Sequence, residues 1–457
     1  MDVSNRDGFG SQLGVIAAAA GSAVGLGNIW RFPYVAGENG GGAFLLVYVL
    51  FILIIGVPLM LSEFAVGRRS QRNALGAFKH LAPRTSWHFI GILGIAAAFF
   101  ILSFYTTVSG WTLEYLFLSI GNGFAGQNKE ELNVMFEQFR TSGGLPLLWQ
   151  FIFMFFTAFI VYKGIKNGIE KYTKMLMPAL LLIIIVLGIR SVTLPGAGAG
   201  LVFLFKPDFA KINGNVILQA LGQAFFSLSI GMGALITYGS YIRKKENLAT
   251  ISLSVTLTDT LVAILAGVAI FPAVFAFGIE PEAGPGLVFI TLPMIFQQIT
   301  GGYFFALIFF ILLVIAALTS TISVLEVVVA YVSEELNFSR KQATIISALA
   351  ISVLGALCTL SQGPMPEIHL GNRNLFDILE FTSANIMLPL GGLLIVIFAG
   401  WFMNRQQLFD EITNDGKHML NTRWIFYFII RFIAPVAIAL VFLNGIGLFG
   451  LFGGSDM

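Results

Sequence analysis

The stretch AGSAVGLGNIWRFPYVAGENGGG, residues 20–42, sets an asparagine, an arginine, a proline and several glycines inside an apolar run. A second apolar run contains SLSIGMG, residues 227–233. Glycine weakens a helix and proline removes a backbone donor, so both runs read as helices broken partway. A break frees carbonyls at one half-helix end and N–H groups at the other, and these carry partial charges of opposite sign. Such ends can hold a cation and a carboxylate side by side. In lipid, unwound backbone is tolerable only where it is buried or lines a polar cavity. For GSAVG alone, Gly21 and Gly25 could equally form a small-residue packing face. Asn28, Arg31 and Pro33 within the same span favour a functional break.

The elements that must carry these breaks follow from composition. Of 457 residues, 57% are hydrophobic and 11% charged, against roughly a quarter charged in soluble domains. This is an all-α polytopic membrane protein, with the lipid bilayer as its partner. The net charge of +2 offers no footprint for nucleic acid. The lone Cys358 excludes an internal disulfide and a zinc or redox pair. His80, His88, His369 and His418 lie at or near loops, and neither HExxH nor GxSxG occurs, so an enzyme is not expected. No repeated filter or ring of charge suggests a channel.

Apolar stretches of about 20 residues predict eleven spans, near 11–36, 41–67, 87–120, 147–163, 171–190, 215–242, 248–278, 302–333, 341–361, 375–403 and 423–449. The first reads as a retained span rather than a cleaved signal peptide. With the N-terminus inside, eighteen Lys and Arg face the cytoplasm, among them Arg68, Arg69, Arg72, Lys163, Lys166, Arg243 and Lys244, against six outside. That asymmetry sets the orientation and puts the C-terminus outside. Spans one to five (11–195) and six to ten (213–403) each cross an odd number of times, so a shared fold would make them inverted repeats, with span eleven (423–449) appended. Both breaks fall in the first helix of their half, which is the sequence pointer to a transporter's central site.

GSAVGLGNIWRFPYVAGENGGGAF, FFSLSIGMGALITYGSY and AALTSTISVLE resemble the first-, sixth- and eighth-helix motifs of the neurotransmitter:sodium symporter family. The likeness runs to about residue 400, and eleven spans resemble bacterial members. The resemblance implies the fold of the bacterial leucine transporter and a sodium-coupled symporter importing neutral, hydrophobic or aromatic L-amino acids across a bacterial inner membrane by alternating access. A sodium-dependent sensor that binds without transport, or a carrier of another small zwitterion, are the alternatives.

Two Na+ sites are implied. One uses main-chain oxygens of Gly21, Val24 and Ala316 with the hydroxyls of Thr319 and Ser320. The other uses the carbonyl of Ala23, the side chain of Asn28, Ser227, a span-seven residue and the substrate's own carboxylate. Neutral oxygen donors suit a monovalent cation that must leave again. Thr319 and Ser320 could instead bond back to their own helix. Where many members have asparagine in span seven, LTDTL carries Asp259. A mid-membrane carboxylate costs roughly 2.5–3.5 kcal/mol on insertion scales, so it should face a cation or a polar cavity. Asp259 is expected to supply the charge that chloride supplies in relatives, so chloride is not required.

The substrate carboxylate is expected at the N–H groups of Leu26 and Gly27 and the hydroxyl of Tyr105, and the amine at carbonyls around Ala23, Phe226, Ser227 and Ser229. A buried tyrosine is otherwise an ordinary core residue with one satisfied hydroxyl. The side-chain wall is Ile101, Phe226, Ser229, Ile230, Met232, Ser323 and Val324. It holds no ionisable group, so charged side chains are disfavoured. Met232 replaces a frequent phenylalanine and could yield to a bulky ring, or merely fill a gap. Arg31 and Glu380 are expected as the outer gate, Tyr105 and Phe226 as the lid, and Arg6 with Glu334 and Tyr241 as the inner latch. In span five, GIEKYTKMLMP, residues 168–178, joins a glycine to a proline and is expected to unwind during inward opening.

Overall fold

The computed structural model describes residues 8–278, 284, 286–367, 369–417 and 422–448. Helix follows helix: α1 (Gln12–Ala23), α2 (Gly27–Glu38), α3 (Gly42–Ser70), α4 (Ala74–Leu81), α5 (His88–Ile120), α6 (Lys129–Thr141), α7 (Gly144–Tyr162), α8 (Ile165–Val192) and α9 (Gly198–Phe205). The second part continues with α10 (Gly214–Ser227), α11 (Ala234–Gly239), α12 (Leu248–Ala276), α13 (Leu287–Gln298), α14 (Gly302–Glu335), α15 (Arg340–Leu360), α16 (Leu375–Phe402), α17 (Arg405–Thr413) and α18 (Arg423–Gly445). A two-residue hairpin, β1 (His369–Leu370) with β2 (Arg373–Asn374), is the one sheet among the described residues.

Among the described residues, nine helices are long and apolar enough to cross a bilayer, and α1 with α2 makes a tenth span bent by 52°. The remaining expected span, 215–242, is divided into α10 and α11 by residues 228–233. The expected spans therefore each find a helical counterpart. The loops hold α4, α6, α9, α13 and α17, which the spans alone do not announce.

Helix starts are written in short polar side chains. Ser11 caps α1 through the Gly14 N–H, Asn213 caps α10, and Asn247 caps α12. Asn128 with Glu131 and Ser339 with Gln342 form capping boxes on α6 and α15. Each satisfies donors that the helix itself leaves free. Exposed Leu182, Phe155 and Val353 face outward from α8, α7 and α15, as a lipid-contacting surface requires. The interior is different. α1 packs against α8, α12 and α14, and α14 lies along α5. Asn28, Glu63, Ser227 and Asp259 are all buried there.

α8 is wound continuously through Pro178, with a widened π-helical stretch at Ile165–Glu170. The 168–178 motif is therefore helical in this conformation. Gly168 has a packing reason as well: a Cβ there would lie 2.1 Å from the Ile160 carbonyl oxygen.

Candidate functional site

The first break is short. α1 ends at Ala23, Val24 is extended, and α2 resumes at Gly27. Asn28 Oδ1 accepts the Gly25 N–H at 3.1 Å, and the Tyr105 hydroxyl accepts the Leu26 N–H at 3.1 Å. Tyr105, from the middle of α5, thus sits at the N–H groups where a substrate carboxylate was expected. A Cβ on Gly25 would come within 3.0 Å of that hydroxyl and 3.2 Å of Ser320. Glycine is what lets α5 and α14 approach the break so closely.

The second break is longer and turns by positive φ at Ser229, Gly231 and Gly233. At Gly231 a Cβ would lie 2.3 Å from the Leu388 carbonyl oxygen, so only glycine fits. Ser229 Oγ donates to the Ser22 carbonyl at 3.0 Å, and Ser320 Oγ reaches the same carbonyl at 3.4 Å. One carbonyl of α1 therefore joins both breaks to α14.

At the heart of the site, Asn28 Nδ2 donates to Asp259 Oδ1 at 2.7 Å and to the Asp259 carbonyl and Ser227 Oγ, each at 3.1 Å. Ser227 Oγ donates to Asp259 Oδ2 at 2.8 Å. The Tyr48 hydroxyl lies 3.4 Å from Ser227 Oγ. A carboxylate is thereby held by side chains from both broken helices. This is a hard-oxygen cluster of the kind that suits an alkali cation as cargo. Asn28 offers its N–H groups to Asp259 and its oxygen to Gly25, so binding a cation through Oδ1 shares that oxygen with the break itself.

The other predicted ion set is also brought together. A Cβ on Gly21 would meet Thr319 Cβ at 3.2 Å, which puts α1 and α14 in close contact. Thr319 Oγ1 donates back to the Ile315 and Ala316 carbonyls, both at 3.1 Å, and retains its lone pairs. Val24 and Ala316 of this set are buried, as is Ala23 of the first. Of the predicted substrate wall, Ile101, Ser229, Ile230, Met232, Ser323 and Val324 are all buried. Ser323 Oγ accepts from the Tyr238 hydroxyl at 2.8 Å and donates to Thr319 O at 3.3 Å.

Outside the breaks, a cavity of about 60 Å³ is lined by Leu26, Gly27, Tyr105 and Phe226 together with Arg31 and Glu380. Arg31 stacks over the Phe226 ring at 4.3 Å. Arg31 and Glu380 share this cavity but form no ion pair within 4.0 Å among the described residues. On the opposite side, Glu334 Oε2 accepts from the Asn73 backbone N–H and side-chain amide, each at 2.9 Å. The Tyr241 hydroxyl donates to Glu326 Oε1 at 2.7 Å, and Arg340 pairs with Glu326 at 2.6 Å. Arg6 and His418 lie outside the described residues.

Four further residues contribute to the site. Glu63 is buried and accepts the Gly231 N–H at 2.8 Å, while its Oε2 has no partner among the described residues. Its signal was a lone carboxylate inside the apolar run VPLMLSEFAVG. Gln223 donates to the Gly27 carbonyl at 3.2 Å, and Tyr48 adds its hydroxyl to the Asp259 cluster. Glu170 accepts from the Gly10 N–H at 2.6 Å and from Ser11 Oγ at 2.9 Å, tying the start of α1 to α8.

The chain is similar to known proteins along nearly its whole length. The sodium:neurotransmitter symporter family matches residues 6–131 and 128–450. The uncharacterized sodium-dependent transporter YhdH of Bacillus subtilis is 41% identical over 96% of this chain and 98% of its own. An uncharacterized sodium-dependent transporter of Haemophilus influenzae is 36% identical over the same shares. The crystal structure of MhsT in complex with L-phenylalanine superposes with a TM-score of 0.88 at 47% identity, covering 96% of this chain and all of that one. Two broken helices facing a buried oxygen cluster, in a multi-pass membrane fold shared with these proteins, identify a sodium-dependent transporter, and the chain belongs to the sodium:neurotransmitter symporter family.

Proposed function

We propose that the chain imports neutral, hydrophobic or aromatic L-amino acids, driven by two sodium ions and without a chloride requirement. The observation that carries this reading is the Asn28, Ser227 and Asp259 cluster, which ties both helix breaks to one buried carboxylate. A fixed negative charge there balances a cation without a mobile anion. One ion would lie beside Asn28, Ser227, Asp259 and the Ala23 carbonyl. The other would lie among Gly21, Val24, Ala316, Thr319 and Ser320.

The substrate carboxylate would meet Leu26, Gly27 and Tyr105, where the Tyr105 hydroxyl accepts the Leu26 N–H. An apolar wall from Ile101 to Val324 leaves an ionised side chain unpaired, which costs several kcal/mol. MhsT, with its L-phenylalanine, supports an aromatic or large apolar side chain here. Phe226 and Tyr105 then close over the ligand, and Arg31 and Glu380 approach across the outer cavity. Arg6, Glu334 and Tyr241 form the inner latch, and α8 unwinds near 168–178 to let water reach the sodium sites. In this reading 11–195 and 213–403 are inverted repeats, 423–449 is an added span, and the N-terminus faces the cytoplasm of a bacterium.

A thermal-shift screen of the twenty amino acids, with sodium or choline, tests the proposal. Ligand stabilisation grows with concentration over affinity. Leucine, phenylalanine and tryptophan should stabilise the protein in sodium, and aspartate and lysine should not. Equal shifts in choline would contradict it.

A further inference from the structure

α16 and α18 meet at two π-helical turns, Phe398–Phe402 and Ile429–Ile433. A π-turn frees backbone carbonyls that an α-helix would occupy. Here a side chain of each helix reaches a carbonyl in the other helix's turn. Trp401 Nε1 donates to the Arg431 carbonyl at 2.9 Å, and the Tyr427 hydroxyl donates to the Gly400 carbonyl at 3.1 Å. A Cβ on Gly400 would lie 3.1 Å from Arg431 Cα, so the backbones nearly touch.

This lock holds Arg431 in place. Its guanidinium stacks 4.3 Å from the Trp401 ring centre, with Phe432 at 5.6 Å and Tyr427 at 5.7 Å. Nη1 donates to the Tyr427 hydroxyl at 3.2 Å. Among the described residues Nε is buried without a hydrogen-bond partner, Nη2 has none either but is not enclosed, and no carboxylate pairs with Arg431. Counting from Arg423 at the start of α18, Arg431 lies eight residues along, or about 12 Å into the helix.

The surroundings face lipid. Trp401 is 55% exposed, Phe428 54% and Phe432 47%. Next to it, exposed Arg405 stacks on exposed Trp424 at 4.9 Å, and exposed Arg423 lies 5.7 Å from the ring of Phe409, which is buried beneath Trp424 and Tyr427. Tryptophan and tyrosine gather at the membrane interface, and basic pockets between helices on the cytoplasmic side attract anionic headgroups. A guanidinium with Nη2 open and no carboxylate beside it suits an anionic phosphodiester oxygen.

We propose that this corner binds one anionic phospholipid of the inner leaflet. Its phosphodiester takes the Nη2 edge of Arg431, Arg405 and Arg423 supply the surrounding positive field, and its acyl chains lie along Trp401, Phe428 and Phe432. The choice of leaflet rests on the orientation given under Proposed function.

The test is native mass spectrometry of the full chain titrated with phosphatidylglycerol or phosphatidylcholine. Wild type should retain phosphatidylglycerol preferentially, and R431Q should retain it about fivefold more weakly, the loss expected for one basic residue at a membrane surface. Phosphatidylcholine retention and sodium-dependent amino-acid binding should be unchanged. Equal phosphatidylglycerol retention by R431Q and wild type overturns the proposal, as does a lipid-free dimer that covers this face. Should R431Q not fold, wild type and W401F are compared for fluorescence quenching by brominated phosphatidylglycerol and brominated phosphatidylcholine. Stronger quenching of Trp401 by the anionic lipid supports the site, and equal quenching overturns it.

Discussion

Replacing Asp259 by asparagine keeps the volume of the side chain and removes its charge. In the structure, Oδ1 accepts from Asn28 Nδ2 at 2.7 Å and Oδ2 from Ser227 Oγ at 2.8 Å, with the carboxylate buried. The amide oxygen can keep the contact with Asn28, but its NH2 then faces Ser227 Oγ, so the charged acceptor to which Ser227 donates is lost. Hydrogen bonds to a charged group contribute about 1.5–3 kcal/mol each. Losing one such contact from the ion-binding arrangement corresponds to roughly 10- to 150-fold in sodium affinity. Radiolabelled amino-acid binding to the purified chain, titrated with sodium at constant ionic strength, reads this directly. The D259N variant should need far more sodium for half-saturation, and added chloride should recover part of the loss. Wild type should bind and transport equally well when chloride is replaced by gluconate. A D259N half-saturation point within about twofold of wild type would refute the assignment of Asp259 to the ion site.

Three further outcomes follow from other parts of the structure. Met232→Phe should change the ratio of tryptophan to leucine uptake, whereas an unchanged ratio would make Met232 a simple gap-filler. Pro178→Ala should slow sodium release and inward opening, measured by stopped-flow release from preloaded protein; unaltered release would rule out the unwinding of α8. Glu411, on α17, pairs with the buried Arg68 at 2.8 Å and also with Lys244. Burial alone would raise its carboxyl, but Lys244 and Arg68 more than offset this and hold it below the ordinary 4.5. Its stabilising contribution is therefore complete above about pH 4.5 and disappears as pH falls through the lowered value. Glu411→Gln should cost about 3–5 kcal/mol at pH 7 because it leaves Arg68 buried and unmatched. The gap between variant and wild-type melting should close in acid; a gap constant from pH 7 to pH 3 would contradict the pairing.

The spans were legible because each needs about 20 apolar residues, a constraint that composition alone reveals. Both breaks were legible for the opposite reason: glycine and Asn28 are out of place in such a run. Contacts between distant residues were not. Nothing in LSEFAVG says that Glu63 will reach Gly231, 168 positions later. Nothing near Tyr241 says that its hydroxyl will choose Glu326. Glu411 holds Arg68 across 343 positions, and its helix α17 looks like an ordinary polar loop. Arg31 and Glu380 line one outer cavity without forming an ion pair among the described residues, and the stacking of Arg31 on Phe226 depends on how α10 meets α2. Helical periodicity reports which face is apolar and is silent on which polar groups meet across the interior.

Sodium-gradient-driven uptake of L-phenylalanine into proteoliposomes containing the purified chain separates a coupled carrier from a protein that only binds. Substrate should accumulate above equilibrium with sodium outside, that accumulation should collapse in choline, and labelled substrate should exchange against unlabelled in counterflow. Uptake that proceeds equally in choline, or sodium-dependent binding with neither accumulation nor counterflow, would contradict it.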